Sequence, residues 1–165
     1  MKDPAKNLSD NSASELRQYA IGLLSRREYG AHELCQKMAS KGQPSDVDAT
    51  IQWLQAQGFQ SDERFASVYL RSKAQRGYGP QRIRQEMQQK KLSPEAVEMA
   101  FDAFDEDWFE LALAVYQKKF PTPLSETKDR YKERARRQRF LLYRGFSTEH
   151  FGYALEQSAS DCTNG

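Results

Sequence analysis

Histidine is almost missing from this chain. His32 and His150 are the only two among 165 residues, and neither has another ligand at H-E-x-x-H or similar metal spacing. Both are read as surface or internally satisfied imidazoles. Cysteine is as scarce: Cys35 and Cys162 have no C-x-x-C partner, so neither a disulfide nor a thiolate metal site is expected, with Cys35 a core filler and Cys162 a tail thiol. No run approaches the ~20 apolar residues that cross a bilayer, and the opening "MKDPAKNLSDNS" has no apolar signal segment, so a cytoplasmic protein without a membrane partner is expected. Alternating apolar and polar runs are equally absent, which leaves a sheet nothing to be built from.

Cofactor and catalytic signatures are missing too. "GYG" at 77–79 lacks the third glycine of a dinucleotide loop and the G-K-S/T of a phosphate loop, and it follows a helical pattern rather than a strand. It is read as a tight turn between helices, with Tyr78 packed beneath it. Paired carboxylates in "FDAFDEDWFE" raise the question of a metal nuclease. Asp105, Glu106 and Asp107 are consecutive at a predicted helix start, where acids complement the helix dipole and neighbouring side chains point apart. No serine, cysteine or lysine has a recognisable activating partner. No metal, no cofactor and no enzymatic activity are expected.

What the chain does have is charge, segregated by region. The net charge is only +2, but Arg71 to Lys91 holds seven bases against Glu86 alone, and Lys128 to Arg144 holds eight against Asp129 and Glu133. "SPEAVEMAFDAFDEDWFE", 93 to 110, carries seven acids and no base. Two basic runs in one small chain point to a polyanionic partner. Charged residues reach 29%, yet nine Phe, eight Tyr and two Trp are enough to build apolar cores.

The chain also repeats itself. "YGAHELCQKM", from Tyr29, lies over "YGPQRIRQEM", from Tyr78, so that Gly30 meets Gly79, Leu34 meets Ile83 and Met38 meets Met87. After one inserted residue, Pro44, Val47, Ile51 and Leu54 meet Pro94, Val97, Phe101 and Phe104. A fainter third copy sets "RFLLYRGFS" over "QEMQQKKLS", with Leu141 on Met87, Phe146 on Leu92 and Ser147 on Ser93. Repeats of this length mark stacked supersecondary units, each too small to bury its own apolar face.

Punctuation within each copy predicts three helices. They are Glu15 to Arg26, Ala31 to Lys41 and Ser45 to Gln57; Asp62 to Gln75, Pro80 to Lys90 and Pro94 to Phe104; then Glu106 to Phe120, Thr127 to Tyr143 and Ser147 to Gln157. Gly58 serves as a C-terminal cap, Ser61 or Asp62 and then Ser93 as N-terminal caps, and Pro80 falls where a missing N–H costs nothing. The expected architecture is all-α: three tandem three-helix repeats over 13–59, 60–104 and 105–157 in an elongated, curved array, with tails at 1–12 and 158–165.

Candidate contact residues come from the two basic runs. In the second copy, Ile83 and Met87 form a buried stripe that leaves Arg82, Arg84, Gln85 and Gln88 pointing outward. In the third copy, Tyr131, Ala135 and Leu142 are read as the buried stripe. Arg130, Arg134 and Arg137 flank it on one side and Lys132, Arg136 and Arg139 on the other, with Arg144 near the helix end.

"DERFASVYLRSKAQRGYGPQRIRQEM", Asp62 to Met87, and "RQRFLLYRGF", Arg137 to Phe146, resemble the RecX regulators of the bacterial recombinase RecA, and weaker features extend the likeness over about residues 14 to 157. The resemblance implies three tandem three-helix repeats, in agreement with the internal alignment. It also implies a protein without a catalytic site that binds RecA filaments on DNA, lies in the filament groove and inhibits filament growth, ATPase and strand exchange. On this reading the basic residues of copies two and three meet the filament, DNA binding by the chain alone is weak and non-specific, and the protein is a monomer. The alternative is a sequence-specific helix-turn-helix DNA-binding regulator, because Arg82, Arg84, Gln85 and Gln88 share one short helix of a three-helix unit.

Overall fold

The computed structural model describes residues 4–124 and 128–161. Among them are nine helices and no strand: α1 (Pro4–Leu24), α2 (Ala31–Met38), α3 (Pro44–Ala56), α4 (Asp62–Gln75), α5 (Pro80–Gln89), α6 (Pro94–Asp102), α7 (Trp108–Lys119), α8 (Arg130–Arg144) and α9 (Thr148–Asp161). The all-α, three-helix-repeat expectation holds. α4 has the predicted bounds, and most other helices end a few residues inside theirs. Two differ more. α1 begins at Pro4, well ahead of Glu15, because proline is suited to a first helical position and no further breaker follows it. α9 continues through the expected start of the C-terminal tail to Asp161. The predicted helix start at Thr127 and the thiol of Cys162 lie outside the described residues.

The chain divides into two compact units, Met1–Val68 with Gln88–Ala100, and Tyr69–Met87 with Phe101–Gly165. In the first, Leu16 and Ala20 of α1, Leu34 and Met38 of α2, and Val47, Ile51 and Leu54 of α3 close one core, with Cys35 half-buried against it. These are i, i+4 or i, i+3 pairs, so each helix contributes a single stripe. Burial pushes the Cys35 thiol pKa up, as befits a packing residue.

A polar clasp beside this core joins the start of α2 to the start of α4. Gln60 is buried and donates to the Tyr29 carbonyl (3.1 Å) and to Asp62 Oδ1 (2.9 Å). Asp62 Oδ1 also accepts from the Ala31 N–H at 2.8 Å, closing one of the open donors of α2. α4 is capped instead by Ser61, whose Oγ accepts from the Arg64 N–H, and α6 by Ser93 in the same way.

In the second unit, Ala112 and Tyr116 of α7, Phe120 just after it, Leu141 of α8, Phe146, and Phe151 and Ala154 of α9 make an aromatic-rich core. Asp107 caps α7 by accepting from the Phe109 N–H at 2.8 Å, and Asp105 and Glu106 lie just ahead of that helix rather than within it. His150 is a satisfied imidazole. Its Nδ1 accepts from the Ser147 N–H at 3.0 Å, Phe109 and Phe146 meet its ring, and burial pushes its pKa down.

Candidate interaction surface

Both basic runs contribute to the second unit, through the turn that holds "GYG". Two residues past the end of α4, Gly77 takes the left-handed conformation (φ 82°), with Gly77 N–H donating to the Ala74 carbonyl and Tyr78 N–H to the Lys73 carbonyl. α8 ends the same way at Gly145 (φ 96°), with Phe146 N–H donating to Leu141. The two turns then meet. Gly79 N–H donates to the Arg144 carbonyl at 2.8 Å and Gln81 N–H to the Gly145 carbonyl at 3.1 Å. The open donors at the start of α5 thus satisfy open acceptors at the end of α8. A Cβ on Gly79 would lie 2.4 Å from the Gly145 carbonyl, and one on Gly145 would lie 2.3 Å from Arg82 Cβ. Glycine is required at both places.

This junction gathers cations around Tyr78. Lys73 Nζ lies 4.9 Å, the Arg82 guanidinium 4.5 Å and the Arg144 guanidinium 5.1 Å from its ring centroid. Attraction to the ring offsets part of their mutual repulsion, and Glu86 offsets more. It accepts from Lys73 at 2.7 Å, from Arg82 at 3.0 Å and from the Tyr69 hydroxyl. Partial burial acts to raise the Glu86 pKa, but these hydrogen bonds prevail and hold it at about 2. Tyr69 is pushed upward by burial and by its bond to Glu86.

The predicted contact residues therefore divide. Arg82 is half-buried and tied to Glu86 and to the Tyr143 carbonyl, and Arg84 is half-buried with its guanidinium 3.8 Å from the Phe101 ring centroid. Neither points freely outward as expected, because Arg82 is drawn to Glu86 and Arg84 lies over the Phe101 ring. Gln85 and Gln88 are exposed. Arg144 is held at the junction, where it donates to the Arg76 carbonyl at 3.3 Å.

On α8 the expected stripe is inverted. Arg137 is 4% exposed and lies inside the unit, where it donates to Glu133 Oε1 (2.9 Å), to the Tyr116 hydroxyl (3.0 Å) and to the Thr122 carbonyl (3.0 Å). The stripe that faces inward is Glu133, Arg137 and Leu141, spaced i, i+4. Tyr131 and Leu142, read from the sequence as buried anchors, are 86% and 39% exposed. The core accepts an arginine because α7 presents a hydroxyl and the segment after it presents carbonyls, so its donors are satisfied.

The outward face of α8 then carries Lys132 and Arg139, both exposed, among Tyr131, Leu142 and Tyr143, the last 77% exposed; Arg130 and Arg134 are exposed too but lie along the side of Arg137 and Leu141, with the Arg134 guanidinium 5.4 Å from the Phe151 ring centroid. Arg136 is exposed as well but is engaged by Glu133 through two bonds, at 2.7 and 2.8 Å. Sequence reasoning missed the aromatic members of this face. The available signal was the Glu133–Arg137–Leu141 spacing, which competes with Tyr131–Ala135–Leu142 as the inner stripe. Among the described residues no group of His, Cys, Asp and Glu side chains could hold a metal ion, and no helix is long and apolar enough to cross a membrane.

Comparison with known proteins agrees with this architecture copy by copy. Models of the first, second and third three-helix domains of RecX match residues 12–54, 61–100 and 105–155. "Regulatory protein RecX" of Vibrio cholerae serotype O1 (strain M66-2) is 42% identical over 146 residues, covering 88% of this chain and 94% of that protein. The protein of the same name from Legionella pneumophila (strain Corby) is 40% identical over 131 residues, covering 79% and 85%. A crystal structure of regulatory protein RecX superposes with a TM-score of 0.80 at 20% identity, covering 94% of this chain and 80% of that one. RecX from Lactobacillus salivarius does so with 0.72 at 18% identity, covering 91% and 98%. Domain models for all three copies, in order, together with relatives that match over most of their length, establish that the chain belongs to the RecX family of regulatory proteins.

Proposed function

We propose that this chain binds RecA filaments on DNA and restrains their growth, ATP hydrolysis and strand exchange by contact rather than by chemistry, as a cytoplasmic monomer whose affinity for DNA alone is weak and non-specific. The observation that carries this reading is the outward face of α8. Lys132 and Arg139 with two exposed tyrosines lie on it, and Arg130 and Arg134 are exposed along its flank, a composition suited to a surface that offers both phosphates or carboxylates and flat or apolar groups. A sequence-specific reader is less well supported. Two of the four side chains that would read bases from α5, Arg82 and Arg84, are held against Glu86 and Phe101.

The test is a titration of this protein into RecA assembled on single-stranded DNA, with ATP hydrolysis as the readout. Hydrolysis is expected to fall as the protein is added. Replacing Lys132, Arg134 and Arg139 together with glutamine should leave the helical circular dichroism spectrum unchanged. It should raise the concentration needed by roughly tenfold and flatten the salt dependence by up to ~0.7 per lost single-strand phosphate contact. A variant that inhibits like the parent with the same salt slope would remove α8 from the contact surface.

A further inference from the structure

A cleft in the second unit, on another part of α8, lies outside the surface just described. It opens between the end of α4, the outer side of α7 and the last turns of α8, with a volume of about 400 Å³. Leu111, Val115 and Phe140 form an apolar floor, and Arg76, Lys118, Lys119 and Arg144 stand around it. Among the described residues no carboxylate lines this cleft or pairs with any of these four cations. Arg144 is fixed in place, its guanidinium 5.4 Å from the Phe140 ring centroid and bonded to the Arg76 carbonyl at 3.3 Å. Lys119 Nζ lies 5.7 Å from the same ring. Gly77 forms part of the wall, and a Cβ there would come within 3.0 Å of Val115 Cγ2 and 3.8 Å of Arg144 Nη1. The turn is thus bare where a side chain would crowd both floor and rim.

We propose that this cleft binds an acidic peptide segment of a protein partner, with one apolar side chain of the segment seated on the floor and its carboxylates on the surrounding cations. Four cations with no carboxylate partner among the described residues call for an anion. An apolar floor of this size calls for an apolar group as well, which a phosphate backbone does not bring. A nucleobase would bury polar ring edges against Leu111 and Val115, where they find no partners, and an unmade hydrogen bond costs more than the contact returns. An aliphatic or aromatic peptide side chain carries no such penalty. The site is defined by chemistry, independently of which protein supplies the segment and of the RecA reading above.

Three fluorescently labelled probes of equal charge test this by anisotropy against the full chain. They are a short peptide in which acidic pairs alternate with Phe or Leu, the same peptide with Ser at the apolar positions, and an oligothymidylate. The apolar-acidic peptide should bind at least about tenfold tighter than the Ser peptide, a difference of ~1.4 kcal/mol. Ala114 is exposed on the α7 wall, so Ala114→Glu should preserve the circular dichroism spectrum and weaken the peptide about tenfold or more. Lys118→Glu combined with Lys119→Glu should do the same, and Arg139→Glu on the outward face of α8 should change affinity less than twofold. Equal affinity for the two peptides overturns the proposal, as does tighter binding of oligothymidylate that is lost in the Lys118/Lys119 variant. Loss of peptide binding in Arg139→Glu but not in Ala114→Glu, or no binding of any probe, overturns it equally.

Discussion

Tyr29-Gly30 ahead of α2 and Tyr78-Gly79 ahead of α5 are the same dipeptide at the same point of two copies, yet the two glycines answer to different demands. A Cβ on Gly30 would sit 3.5 Å from the Phe65 ring, an ordinary contact, whereas one on Gly79 would overlap the Gly145 backbone at 2.4 Å. The first N–H of α2 is closed by the carboxylate of Asp62, and the start of α5 is closed by the last carbonyls of α8. Tyr29 is buried with the Arg27 guanidinium 3.6 Å from its ring centroid, and Tyr78 is half-buried among three cations. A repeated local sequence therefore sets a backbone turn. What docks on the turn, and how strictly glycine is needed there, is decided by the rest of the fold.

The most severe way to break this comparison is to add the methyl group. Gly79→Ala should cost at least ~3 kcal/mol in urea unfolding, because the overlap is with backbone and only displacement of α5 from α8 relieves it. Gly30→Ala should stay within about 1 kcal/mol of the parent, since its φ of −70° suits any residue. Equal costs at the two sites would show that the turn, and not its neighbour, demands glycine.

The adjacent arginines of α8 give the next contrast. Arg137→Ala should lose roughly 3 kcal/mol, because it leaves a cavity and strands the buried Tyr116 hydroxyl while the Thr122 carbonyl loses its donor. Arg136→Ala, from a side chain 59% exposed, should leave the denaturant midpoint almost unchanged despite its two bonds to the same glutamate.

How much of this could be read from the sequence follows the range of the forces involved. Helix positions were legible because capping residues, prolines and apolar spacing act within a few residues: Ser61, Ser93 and Asp107 all begin helices and Gly58 takes the left-handed cap at φ 77°. The inner face of α8 was not legible, because its central residue is an arginine whose partners, Tyr116 and Thr122, come from elsewhere in the chain. Binary pattern reads charge as surface, and only the fold reveals that the donors are satisfied. The approach of Gly79 to Gly145 was hidden for the same reason. The charge on α8 was legible, but not which of its charges are exposed and which are buried.

A smaller effect is read by pH in the first basic run. The Glu86 carboxyl, half-buried among Lys73, Arg82 and Tyr69, has a pKa of about 2 in the folded chain, below its ordinary 4.5. Its contribution to stability is therefore complete above about pH 4.5 and is lost as the pH falls through about 2. Glu86→Gln should remove up to ~1.4 kcal/mol per pH unit of slope in that window and cost ~1–3 kcal/mol at pH 7. Denaturant midpoints at a series of acidic pH values would read both. An unchanged slope would mean that Glu86 does not organise the cations around Tyr78.

The smallest expected effect is also the one that isolates why Gly145 is glycine. In the internal alignment Gly145 of the third copy falls on Lys91 of the second, and both residues are left-handed, with φ of 96° and 61°. Lys91 shows that the conformation alone tolerates a side chain, at a strain of about 1 kcal/mol. Its own side chain is exposed, so Lys91→Gly loses no buried packing. It relieves the strain but frees the unfolded chain, so the net gain should be only ~0.5 kcal/mol in denaturant midpoint. Gly145→Asn supplies a residue that adopts the left-handed region readily, yet its Cβ would still lie 2.3 Å from that of Arg82. It should therefore cost at least ~2 kcal/mol. If Gly145→Asn were as mild as Lys91→Gly, left-handed geometry would explain both positions. The close seating of α5 on the end of α8, which brings Arg82 and Arg144 together over Tyr78, would then not depend on that glycine.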